Sequence, residues 1–115
     1  MQKDDLIRIR HMLDAGQKAV SFAANKNRTD LDDDPMLAFA LMKAIEIIGE
    51  AASKVSCSSQ DLLKDIPWPE IVGMRNRLIH AYADISLDIL WQTVTNNMPP
   101  LIQALERIVA SETSE

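Results

Sequence analysis

The chain has 115 residues, of which 47% are hydrophobic and 25% charged, and a formal net charge of −5. That length predicts one domain spanning 1–115, and the composition is ordinary for a soluble protein. The acidic balance argues against a general basic surface for nucleic acid, and no apolar run approaches the roughly 18 residues a membrane span needs.

The charged start Met1-Gln-Lys-Asp-Asp-Leu lacks the apolar core of a signal peptide. A single cysteine, Cys57, cannot close an internal disulfide, which suits a reducing cytoplasm. Its expected role is a small hydrophobe near a helix end.

In chain order the pattern reads as helix throughout. Leu6, Ile9, Met12, Leu13, Val20 and Ala23 form a helix-period stripe from about Asp4 to Ala24. His11 stands on another face, as a solvated surface histidine. Residues 25–34 are polar and acidic, without apolar period, and read as a loop. Asp34-Pro35 is a start signal, an N-cap carboxylate followed by proline at the first helical position.

A second helix is predicted from about Pro35 to Val55. Met36, Ala40, Ala44, Ile47 and Ala51 make one face; Leu41, Ile45 and Ile48 make another. A helix apolar on two sides is central or shared with a partner, and in so small a domain a subunit interface is expected. Ser58 and Asp61 have capping-box-like spacing for a short helical turn over Ser58–Lys64. Pro67-Trp68-Pro69 breaks the chain, and Pro69-Glu70 opens a third long helix ending between His80 and Ala83. Asp84 to Ser86 reads as a turn. A further helix runs from about Leu87 to Asn96, Pro99-Pro100 interrupts it, and a last helix spans about Pro100 to Ala110. The tail, about 111–115, is expected to fray. Short connections predict antiparallel neighbours, hence an all-α antiparallel bundle of four to five helices.

The third long helix carries the unusual residues: one of two histidines and the single tyrosine fall in Gly73-Met-Arg-Asn-Arg-Leu-Ile-His-Ala-Tyr82. At about 100° per residue, Ile71, Val72, Leu78 and Ile79 lie within about 60° of Arg75. Arg75 thus occupies the middle of an apolar stripe, which is costly unless it is paired or faces a polar cleft. Asn76 and His80, four apart, share one flank, and Tyr82 returns near Arg75's direction. Arg77 points away, as a solvated charge. Glu50 is a candidate partner for Arg75; pairing with its own neighbour Lys54 is the equal alternative. Lys43 and Lys54 could add to a local basic site.

Such a cluster offers an anion or phosphate site, the kind that metal-free RNA cleavage would need. The 2′-hydroxyl must lose a proton as it attacks phosphorus, the 5′-oxygen must gain one, and charge on the phosphoryl oxygens must be stabilised. Histidine suits the proton work and arginine the charge. Asn76 could orient His80 or donate to a phosphate oxygen, and Tyr82 could position the substrate. No metal-ligand spacing accompanies these residues: no Cys pair, no His pair at i,i+4, no carboxylate–His cluster on one helix. One protomer offers one such histidine, whereas two protomers across a two-fold axis would offer two in one cleft. On residues alone, a structural hydrogen-bond and ion-pair network is the favoured reading.

Arg75-x4-His80-x-Tyr82, with Asn76 after the arginine, resembles the R-x4-H-x-Y signature of HepT-like toxins, helical ribonucleases of the HEPN superfamily. The flanking words Glu46-Ile-Ile-Gly-Glu50-Ala, Ile66-Pro-Trp-Pro-Glu70 and Leu87-Asp-Ile-Leu-Trp91 fit as well, so the resemblance covers nearly the whole chain. It implies an HEPN-like bundle in which Arg75 and His80 are catalytic, acting as a homodimer or higher oligomer with a shared site. It implies a metal-independent cut in RNA leaving a 2′,3′-cyclic phosphate, with no cofactor. It further implies a cognate minimal nucleotidyltransferase antitoxin that AMPylates the motif tyrosine, here Tyr82. An added AMP would place a bulky anion beside Arg75. The competing expectation is a non-catalytic subunit that binds a nucleotide or such a partner in the same cleft.

Overall fold

Among the described residues four long helices carry the structure: α1 (Lys3–Ala23), α3 (Pro35–Ser53), α5 (Trp68–Ala81) and α7 (Met98–Thr113). Three short ones connect them, α2 (Asp30–Asp33), α4 (Cys57–Leu62) and α6 (Leu87–Gln92), with a π turn at Thr93–Asn97. The computed structural model describes residues 1–81 and 86–113, and the side chains of all of these except 79–81 and 113. No strand occurs among the described residues. The fold is the all-α antiparallel bundle expected.

Helix α3 is the centre, packed against both α1 and α5, while α7 packs against α1. The start of α1 meets the chain just after α3, through Asp5 and Ser56, so these two run antiparallel. The amine of Met1 lies 3.9 Å from Glu112 near the end of α7, so α1 and α7 do too. Ile9 and Met12 from α1, Leu41, Ile45 and Ile48 from α3, Leu90 and Val94 from the α6–π stretch, and Met98 and Leu105 from α7 form the core. Small residues on α1 let α7 approach closely: a Cβ at Gly16 would lie 3.2 Å from Ile102 Cγ1 and 3.3 Å from Met98 Sδ.

Helix α3 starts as its sequence predicts. Pro35 takes the first position, and Asp34 Oδ1 accepts from the Leu37 N–H at 3.2 Å. Its two apolar faces divide differently from the expectation. Leu41, Ile45 and Ile48 are core, and Ala44 and Ala51 are buried as well. Met36 and Ile47, from the same predicted face as Ala44 and Ala51, are exposed, as is Phe39. The molecule measures 46 × 29 × 18 Å. Its thinnest dimension is less than two helix diameters of about 10–12 Å, so even the central helix keeps one open side.

Several local features depart from the periodicity. Residues 30–33 are helical and bury Leu31, because Asp30 closes the preceding turn by accepting from the Asn27 N–H at 2.6 Å. The cap of α4 is Ser56 rather than Ser58, its hydroxyl accepting from the Ser59 N–H at 3.3 Å. Cys57 is exposed at the first position of α4, where a helix start on the surface leaves it unpacked. Pro99-Pro100 does not interrupt the chain, which is helical from Leu87 to Thr113. The two prolines supply no N–H to the carbonyls four residues back, and the π turn immediately before them widens the helix at that point. There the Met98 N–H reaches Thr93 O, five residues back. Thr93 and Thr95 donate their hydroxyls to Ile89 O and Trp91 O, both at 2.8 Å. Helix α7 extends to Thr113, with Glu112 3.9 Å from the terminal amine, and residues 114–115 of the tail expected to fray lie outside the described residues.

Asp5 fastens the base of the bundle. It is buried on α1, and its Oδ1 accepts from the Ser56 N–H at 2.9 Å. Its Oδ2 accepts from the hydroxyls of Ser56 and Ser59, both at 2.6 Å. The Ser56 hydroxyl, then that of Ser59, then the Ser56 amide hold its carboxyl below the ordinary value of 3.8. A depressed folded pKa gives stability that is present above the unfolded value and lost as pH falls through the folded one. Asp5→Ala is therefore expected to cost about 2 kcal/mol at neutral pH. It should also flatten the loss of stability below about pH 4. Urea unfolding of both proteins at neutral pH and near pH 3 measures this; equal steepness of the two acid limbs would contradict it.

Candidate active site

Two residues of α3 build the seat for Arg75. Gly49 comes first, because α5 crosses α3 here at very short range. A Cβ at Gly49 would fall closer than 3.0 Å to both Cβ and Cγ of Arg75, and 3.3 Å from the Ile71 carbonyl. Only glycine lets the two backbones and the arginine stem share this space. Glu50, next along, turns its carboxylate onto the guanidinium: Arg75 Nη2 donates to Glu50 Oε2. The other oxygen, Oε1, lies 3.3 Å from Lys54 Nζ, one turn further on. Glu50 thus holds Arg75 and Lys54 together, and the two alternatives left open by the sequence coexist. The hydrogen bond from Lys54, then the charge of Arg75, keep the Glu50 carboxyl below its ordinary range.

On α5 itself, Arg75 Nη1 donates to Asn76 Oδ1 at 2.9 Å. That bond spends the oxygen of Asn76. Its NH2 makes no hydrogen bond among the described residues and remains a donor. Ile71 and Val72 are half-buried and Leu78 is buried, so Arg75 does lie within an apolar stripe. Its side chain is 25% exposed. Its Nε is buried and has no partner among the described residues. A buried donor left in that state costs about 1–3 kcal/mol. Arg77 is exposed, on the opposite side of the helix.

The helix that carries His80 is described through Ala81, but the His80 side chain lies outside the described residues, and so does all of Tyr82. The backbone still sets one relation. His80 is five residues beyond Arg75 on one helix, about 7.5 Å along its axis.

Three parts of this neighbourhood escaped the sequence reading. Gly49 carries no periodic signal and shows its purpose only against α5. Trp68, which begins α5, is buried and donates its indole N–H to Leu63 O at 3.0 Å, closing the turn that aims the helix. The third is a groove of about 180 Å³ between α1 and α3, where Arg8 and His11 face Lys43, Glu50 and Lys54. His11 is exposed, as expected, yet it shares this groove with the residue that holds Arg75. The signal was available in outline, since Arg8 and His11 lie three apart on one helix face. The pairing of that face with α3 was not.

No described helix is long and apolar enough to cross a membrane. The model of the HepT-like ribonuclease family matches residues 12–108. A candidate RNase of Caldanaerobacter subterraneus is 35% identical over 72% of this chain and 74% of its own length. A second candidate RNase, from Methanocaldococcus jannaschii, is 30% identical over 83% of this chain and 87% of its own. A protein of Thermococcus cleftensis described as a ribonuclease HepT by probability is 39% identical over 65% of this chain and 68% of its own length. No solved structure matches the chain. With the family model spanning both α3 and α5, and with the motif arginine seated between them, the chain belongs to the HepT-like ribonucleases of the HEPN superfamily.

Proposed function

We propose that this protein is a metal-independent endoribonuclease, the toxin of a toxin–antitoxin pair, cutting RNA in the cytoplasm at a site shared by two protomers. The observation that carries the reading is Arg75: a partly buried cation seated by Gly49, anchored by Glu50, with a donor unused among the described residues. In the reaction, one His80 takes the proton of the 2′-hydroxyl as that oxygen attacks phosphorus. The bond from phosphorus to the 5′-oxygen breaks, and the second protomer's His80 gives the leaving oxygen a proton. The products are a 2′,3′-cyclic phosphate and a free 5′-hydroxyl. Arg75 stabilises the charge that builds on the phosphoryl oxygens, and the Asn76 NH2 is a second donor beside it. Tyr82 positions the substrate. It is also the acceptor for AMP from a nucleotidyltransferase antitoxin, and the added anion blocks Arg75.

The family and the candidate RNases among its relatives support the activity. The shared site is supported by the open side of α3. Met36 and Phe39 are exposed there, near its start, on the helix that also presents Glu50 to Arg75. A second copy covering them would bring two motif helices to one cleft.

The chemistry makes one sharp demand, that the nucleophile is the substrate's own 2′-hydroxyl. A short RNA should be cut to a cyclic-phosphate end, and the same oligonucleotide with 2′-deoxyribose at the cut position should survive. Mass spectrometry of the products decides. Cleavage of the deoxy substrate, or a linear 3′-hydroxyl end, would contradict the mechanism. A folded, unmodified protein that leaves RNA intact would point instead to a non-catalytic subunit that binds a nucleotide or the nucleotidyltransferase.

A further inference from the structure

We propose that the groove between α1 and α3 is a subsite for the phosphates of single-stranded RNA, guiding the strand to Arg75. The inference rests on the ribonuclease reading and extends it to a surface that the motif does not include.

The groove begins at the active site. Glu50 holds Arg75 with one carboxylate oxygen and Lys54 with the other, so Lys54 is the first groove residue beside the motif arginine. From there Lys43, Ile47, Glu50 and Lys54 follow one another at spacings of four, three and four along one face of α3. Arg8 and His11 line the opposite wall from α1. The eleven residue steps from Lys43 to Lys54 span about 16 Å of helix. That is room for a few nucleotides in an extended strand, a typical footprint for a small backbone-tracking groove.

The charge balance favours a polyanion. In the groove lining Arg8, Lys43 and Lys54 set three cations against the two carboxylates of Glu46 and Glu50, and Glu50 is also paired with Arg75, on a protein whose net charge is −5. Lys43 sits 3.4 Å from Glu46 and Lys54 3.3 Å from Glu50. Both are exposed pairs, which contribute little and open readily. Arg8 has no acidic partner among the described residues. The acidic segment with Asp30, Asp32, Asp33 and Asp34 lies beyond the other end of α3 and repels a nucleic acid there. A polyanion is therefore drawn to the end of α3 that meets Arg75. Phosphate contacts of this kind position a strand without reading its sequence.

The test is binding of a short fluorescein-labelled single-stranded RNA to His80→Ala protein, which cannot consume it, across a salt series. Adding Arg8→Ala and Lys43→Ala is expected to weaken binding about tenfold. It should also make the plot of log affinity against log salt shallower by about 1.4, the value for two single-strand phosphate contacts. Lys43→Glu alone should weaken binding further than Lys43→Ala, and Arg107→Ala, on α7, should change nothing. Circular dichroism checks that each variant is folded. Unchanged affinity and slope in the double variant would overturn the groove, while cleavage by the wild type would leave the ribonuclease reading in place. Salt-dependent binding through these residues without any cleavage by the wild type would do the opposite.

Discussion

Arg75→Ala is expected to slow RNA cleavage by about 10²–10³-fold, the range for removing a positioned donor to transition-state charge. The fold should survive it. Glu50 keeps Lys54 as a partner when Arg75 is removed, so no carboxylate is stranded. The Glu50 side chain is 43% exposed and that of Arg75 25% exposed, so neither charge is enclosed. The melting temperature should fall by no more than about 5 °C, as for a partly exposed pair. Arg75→Lys sharpens the argument, since it keeps the charge and loses the planar fork that grips two oxygens. It should recover little of the rate. Cleavage assays beside thermal melts of the three proteins read both quantities. A deep loss of stability with Arg75→Ala would mean that the arginine is chiefly structural, as in a buried ion-pair network.

Gly49→Ala should do the reverse, damaging the fold first and the activity through it. The added Cβ would lie closer than 3.0 Å to two Arg75 carbons, and the Ile71 carbonyl 3.3 Å away blocks retreat on that side. Relief requires α5 to move off α3, costing about 3 kcal/mol by the usual scale of overpacking. A shift of about 1 Å in the motif helix would lower the cleavage rate about 10²-fold. Gly73→Ala is the matched control. A Cβ there meets nothing within 4 Å, and alanine in a helix interior is better than glycine by about 0.5–1 kcal/mol. Gly73→Ala should therefore melt higher than the wild type, and Gly49→Ala lower. Equal behaviour of the two glycines would contradict the close crossing at Gly49.

Much of the architecture was legible because it rests on local rules. Asp34-Pro35 marks the start of α3 by cap chemistry alone, and the Leu41, Ile45 and Ile48 row reads inward by period. The misses come from contacts between elements. Leu31 is one apolar residue in an acidic stretch, too little for a periodic signal, yet it is buried against the bundle. Asp5 looks like one more charge at a helix start until Ser56 and Ser59 arrive from 51 and 54 residues away. Pro99-Pro100 reads as a break, whereas the π turn before it accommodates both rings. The helix wheel placed Arg75 in its stripe, but the residue that makes room for it is a glycine on another helix. Glu50's divided attachment to Arg75 and Lys54 joins two possibilities the sequence kept apart.

The central claim is a metal-free cut performed by His80. An RNA digest at neutral pH in excess EDTA, wild type beside His80→Ala, addresses it most directly. The wild-type protein should be prepared without antitoxin and checked by mass for an unmodified Tyr82. Cleavage by the wild type and none by His80→Ala is the expected result. Equal cleavage by both proteins, or none by a folded wild type, would contradict the claim.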